Sequence, residues 1–147
     1  FNVSLDRFLE RTKVDADTAV RSITLEAFRR IVKRTPVDTG ALRASWQIST
    51  AAPSDGSGRR RDAQGRFVGS TSDIAKVNAR TGAWIANPLV YATVIEFGLY
   101  QPPDPGPSKD IRPDRTGRIL VKGGYNVQAP AGMVGITTQE LAQEFAS

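Results

Sequence analysis

IVKRTPVDTGALRASWQIST, running from Ile31 to Thr50, passes from one kind of periodicity to another and so decides the fold class. Its first residues end a helical pattern. Thr35-Pro36 stops that pattern, because a residue before proline is pushed out of the α region. Pro36-Val37-Asp38-Thr39-Gly40 is turn chemistry, and Pro36 with Gly40 makes the chain reverse. Asp38 or Thr39 can cap a short helix over Ala41 to Ser45. Trp46, Ile48 and Thr50 then alternate with Gln47 and Ser49, the mark of a half-buried strand, with Trp46 on its buried face.

Upstream, Val3 to Arg34 reads as helix. Leu5, Phe8, Leu9, Ala16, Ala19, Val20, Ile23, Ala27 and Ile31 recur at steps of three and four, with a break near Thr12-Lys13. Asp15 and Asp17 mark a fresh start after that break. Arg29, Arg30, Lys33 and Arg34 crowd the last turns, where cations complement the helix dipole.

Downstream, residues 53–70 (PSDGSGRRRDAQGRFVGS) hold four Gly, three Ser and one Pro, too little apolar surface for a core. They are expected to form a long loop. Asp73 is placed to cap a short helix carrying Ile74 and Val77. Ala83-Trp84-Ile85-Ala86 reads as a strand ended by Asn87-Pro88. Tyr91, Val94 and Ile95 have helical spacing, Tyr91 packs that helix back, and Gly98 suits its C′ position. Five of the nine prolines fall in residues 99–117, a second extended excursion. Ile119-Leu120-Val121 and Tyr125-Asn126-Val127 flank Gly123-Gly124, a hairpin signal. Pro130 and Gly132 direct the chain into a last helix, Thr137 to Ser147, with capping-box spacing between Thr137 and Glu140. The reading is α+β: a long N-terminal helix packed on a small antiparallel β-sheet, with short helices and two long extended loops, in a single domain over residues 1–147.

The chain has 147 residues, enough for one domain with its own core. It contains no Cys and no His. That excludes a disulfide framework, a Cys/His zinc site, a thiolate nucleophile and any imidazole-assisted nucleophile. Composition thus tilts toward a structural or binding protein and away from an enzyme. Glu96 has no partner carboxylate at a defined spacing and reads as an exposed or ion-paired residue. Ser45 with Arg43, and Ser70 with Lys76, form no recognised nucleophile motif. No phosphate-cradling loop of the G-x-x-x-x-G-K-[ST] kind occurs. Trp46, Trp84 and Tyr91 sit in apolar-patterned elements and read as core anchors. The sequon Asn2-Val3-Ser4 reads as coincidence, since no secretory signal precedes it. No apolar run approaches membrane-spanning length. The chain does not begin with Met, so residues are expected upstream.

The net charge is +5, and Arg59, Arg60, Arg61 and Arg66 sit together in the first loop. They would contact either phosphates of a nucleic acid or acidic groups on a neighbouring protein subunit. Two polar excursions of such length become useful when they order against another subunit.

Four stretches carry a resemblance. They are Thr35 to Trp46 (TPVDTGALRASW), Asn87 to Ala92 (NPLVYA), Val94 to Tyr100 (VIEFGLY) and Gln128 to Val134 (QAPAGMV). In this order they resemble the neck and tail-completion proteins of long-tailed bacteriophages, the head–tail joining and tail-terminator-like group. The match is poorest in residues 51–82 and 101–124. The resemblance implies a structural virion protein rather than an enzyme, with no cofactor. It implies a homo-oligomeric ring, usually six-fold, at the head-proximal end of the tail. There such a ring caps the tail tube or joins it to the connector and stopper proteins below the portal. Partners implied are further copies of the chain, the tail tube protein, connector proteins and DNA in the channel, with no membrane. Assembly would take place in the host cytoplasm. The Arg cluster is better matched to acidic protein surfaces than to DNA, because a genome must slide through the channel without sticking.

Overall fold

The computed structural model describes residues 10, 14–37, 40–52, 63–64, 70–100, 116 and 120–146. The expected loop cation cluster, Asp38, Thr39, and the proline-rich residues 101–115 lie outside the described residues.

The long helix α1 spans Ala16–Arg34. Asp15 caps it, accepting from the Thr18 backbone N–H at 3.0 Å and from the Thr18 hydroxyl at 2.7 Å. The fresh start read at Asp15 is thus where the described helix begins. Its end is Thr35, whose N–H still donates to the carbonyls of Ile31 and Val32. A four-residue helix α2, Ala41–Ala44, follows the turn. Its N-cap is Gly40 at φ 85°, with no side-chain cap.

Strand β1 (Gln47–Ser49) pairs antiparallel with β2 (Trp84–Ala86), placing Ile48 opposite Ile85 and Ser49 opposite Trp84. Between them a 3₁₀ turn, Ser72–Lys76, leads to the buried Val77. Thr71, not Asp73, stands at its N-cap, and Asp73 instead pairs with Lys76 at 2.9 Å. Helix α3 covers Tyr91–Glu96. A second ribbon, β3 (Val121–Lys122) with β4 (Tyr125–Asn126), closes around Gly123-Gly124 as the hairpin signal predicts. Helix α4 covers Val134–Ala146. The architecture is α+β.

Among the described residues, Ile31, Leu42, Trp46, Leu89, Ala92, Ile95, Ala129 and Met133 form a core cluster, with Ile85 packed against it. It draws on α1, α2, the start of β1, α3 and the approach to α4. Each large apolar side chain so enclosed contributes about 1.5–3 kcal/mol. Ion pairs fasten α4 along α1. Arg30 donates to Glu144 at 2.7 and 2.9 Å, and Arg34 reaches Thr137 at 2.7 Å and Glu140. Two of the cations expected merely to complement the dipole of α1 therefore bridge two helices.

Three further expectations are corrected by the packing. Trp84 is 50% exposed and no core anchor. Side chains alternate across a strand, so the register that turns Ile85 inward turns Trp84 outward. Tyr91 is 44% exposed, because α3 buries Leu89, Ala92 and Ile95 and leaves Tyr91 on the flank. The last helix begins at Val134 rather than Thr137. Thr137 is fully buried one turn inside it, donating its hydroxyl to the Met133 carbonyl at 2.7 Å. No capping box forms there.

Candidate functional site

The sequence motifs build a scaffold first. Thr35 is its hub. Its hydroxyl donates to the Ile31 carbonyl at 2.7 Å and accepts the Trp46 indole N–H at 2.8 Å. Its carbonyl accepts from Arg43 Nη2 at 2.8 Å. Trp46 is therefore both buried and satisfied, which a buried indole requires. Pro36 follows in the buried turn. Asn87 ties the start of α3 to α2: its amide nitrogen donates to the Leu42 carbonyl at 2.7 Å, and its Oδ1 accepts from the Leu89 N–H at 3.1 Å.

Gly98 ends α3. At φ 63° it lets the Leu99 N–H reach the Val94 carbonyl at 2.9 Å, a Schellman closure. A Cβ on Gly98 would also collide with the Tyr125 ring.

Glu96 was expected on an exposed or ion-paired face. Instead its carboxylate accepts the backbone N–H groups of Met133 (2.7 Å), Val134 (2.8 Å) and Gly135 (2.8 Å). It is a cap for α4 delivered by α3. Charge and dipole agree, since helix N-termini favour anions. Gly132, at φ 77°, brings its backbone against Glu96, and a Cβ there would meet the Glu96 carbonyl oxygen at 2.5 Å. Pro130 stands just before, exposed, in an isolated bridge with Gly132.

This scaffold holds two apolar surfaces open to solvent. The first is the outer face of α3. Val90 is 88% exposed, Phe97 62% and Leu99 52%, with Tyr91 beside them. Val90 and Phe97 stand seven residues apart, two helical turns, and so share one face. Burying Leu89, Ala92 and Ile95 inward fixes that face outward.

The second is a groove of about 510 Å³ between α1 and α2, lined by Leu25, Phe28, Arg29, Val32, Lys33 and Arg43. Its floor comes from the flank of α1. Ile31 and Thr24 point to the core, while Phe28 and Val32 only edge it and Leu25 stands exposed. The stripe read from sequence omitted Leu25, Phe28 and Val32. They lie roughly 60–120° around the helix from Ile31, and only the position of α2 makes a groove of them. Arg29 is neutralised by Glu26 at 2.8 Å. Arg43 Nε is buried with no acceptor.

Exposed apolar side chains of this kind suit association with another surface. Among the described residues, no cluster of three or more acidic, His or Cys side chains could hold a metal ion. No helix among them is long and apolar enough to cross a membrane. Arg59, Arg60, Arg61 and Arg66, on which the nucleic-acid reading rests together with the net charge of +5, lie outside the described residues.

Comparison with known proteins gives one match. A family model, HK97-gp10-like, described as "Bacteriophage HK97-gp10, putative tail-component", matches residues 1–98, two thirds of the chain. Three of the four motif stretches begin within that span, and Gln128 to Val134 lies beyond it. No curated protein and no solved structure matches.

Proposed function

The chain belongs to the HK97-gp10-like family of bacteriophage tail components, and on that premise we propose that it forms a ring at the head-proximal end of the tail, completing the tail tube and joining it to the head connector. It is a structural component of the virion and acts by assembly rather than catalysis. The observation that carries this reading is the outer face of α3, where Val90, Phe97 and Leu99 stand mostly in water. Large apolar side chains left this exposed around one short helix mark an association surface. Each Å² they bury on assembly contributes about 25 cal/mol. A closed ring is the economical outcome for identical subunits that meet head-to-tail.

Six copies fit the family resemblance. The partners are other copies of the chain, the tail tube protein on one side and connector or stopper proteins on the other, with DNA passing through the channel. Residues 1–147 act as one domain, and residues 53–70 and 99–117 reach neighbouring components. Arg59, Arg60, Arg61 and Arg66 meet acidic protein surfaces there. Assembly takes place in the host cytoplasm.

Electron microscopy of intact particles at the head–tail junction tests this directly. The chain should trace into a ring of density between tail tube and connector. Density for it elsewhere in the particle, or its absence from purified virions, would refute the assignment.

A further inference from the structure

We propose that the groove between α1 and α2 receives the outer face of α3 from a second copy of the chain. The inference rests on the ring reading above and names the two surfaces that make the ring contact. A head-to-tail contact needs two different, complementary patches on every subunit. This chain carries two that share no residue. One projects, through Val90, Tyr91 and Phe97; the other is recessed, with Leu25, Phe28 and Val32 as its floor.

Charge selects between the ways of pairing them. The groove is rimmed by Lys33 and Arg43. Groove against groove would set these cations against their own copies, which is repulsive in a desolvated contact. The α3 face presents Val90, Tyr91, Thr93 and Phe97, none of them charged. Its two aromatic rings suit the rim, because a cation over an aromatic face is attracted by the ring quadrupole.

The chain has no native Cys, so single cysteines report contacts cleanly. Phe97→Cys and Leu25→Cys replace exposed side chains and leave the core untouched. Treated with a short bismaleimide in purified tails, a mixed population of the two variants should give a covalent dimer that neither variant gives alone. The chain with both substitutions should give a ladder ending at the ring size. A second measurement uses charge. Phe97→Lys, facing Lys33 and Arg43, should lower the yield of joined particles by about tenfold or more, since like charges at a contact cost several kcal/mol. Lys33→Glu in the same chain should restore much of that yield. Cross-links of Phe97→Cys with itself, or tails that contain the chain yet show neither the mixed cross-link nor the charge rescue, would overturn this pairing and leave the ring reading standing. Absence of the chain from purified tails would defeat both.

Discussion

Replacing Glu96 with Ala should loosen the joint between α3 and α4 more than any other single polar change outside the core. The wild-type carboxylate holds three backbone N–H groups at 2.7–2.8 Å. Losing a helix cap costs about 1–2 kcal/mol. Removing an anion from a helix N-terminus adds about 0.5–1 kcal/mol. Met133 is fully buried, so water cannot readily replace its lost partner. The sum is about 1.5–3 kcal/mol. For a chain of this size that corresponds to a melting temperature lower by about 5–10 °C. Glu96→Gln keeps an acceptor but loses the charge and turns an NH₂ group toward a donor, so it should fall between, near 1–1.5 kcal/mol. Thermal and urea unfolding followed by circular dichroism give the magnitude. Amide exchange gives the location, because Met133, Val134 and Gly135 should lose protection first. A Glu96→Ala variant melting within about 2 °C of wild type, or one whose protection loss lies elsewhere, would refute the cap as described.

Thr35→Val should strand the Trp46 indole N–H and cost about 1–3 kcal/mol in urea unfolding, although it changes no volume to speak of. Gly98→Ala forces a side chain to φ 63° and against the Tyr125 ring, so it should destabilise by about 1–3 kcal/mol and shift the Tyr125 ring resonances. Acid should weaken the ion-pair network that runs along α1 through Glu26, Arg29 and Arg30 and crosses to α4 at Glu144. Hydrogen bonds from Arg29 and then Arg30 hold the Glu26 carboxyl down to about 2, and Arg30 depresses Glu144 as well. Both folded-state values lie below their unfolded ones, so the stabilisation is present above about pH 5 and is lost as pH falls toward 2. Glu26→Gln should flatten that part of the stability–pH curve. Deleting residues 56–66 should leave the melting temperature unchanged and block head–tail joining; unchanged yield of joined particles would remove that loop from the assignment.

What the sequence determined by itself was local. The stop at Thr35-Pro36, the start at Asp15, the alternation of Trp46 and Ile48, the Gly98 terminus and the Gly123-Gly124 hairpin depend on dihedral preferences and on neighbours within a few residues. The resemblance is likewise linear, and three of its four motif stretches begin within the residues 1–98 that the family model matches. Which face of an element is buried was another matter. Ala83-Trp84-Ile85-Ala86 is apolar throughout, and only pairing Ile85 with Ile48 sent Trp84 outward. The stripe on α3 was ambiguous until Leu89, Ala92 and Ile95 met the core. Glu96 and the true start of α4 were illegible for a related reason. The carboxylate lies 37 residues from the Met133 amide it binds, and no local pattern encodes a cap supplied from that far away. The groove is the same kind of fact: Leu25, Phe28 and Val32 are merely the flank of a helix until α2 folds beside them. Backbone preference acts over a turn or a strand, whereas exposure depends on what the rest of the chain covers, and that is settled only when the elements pack.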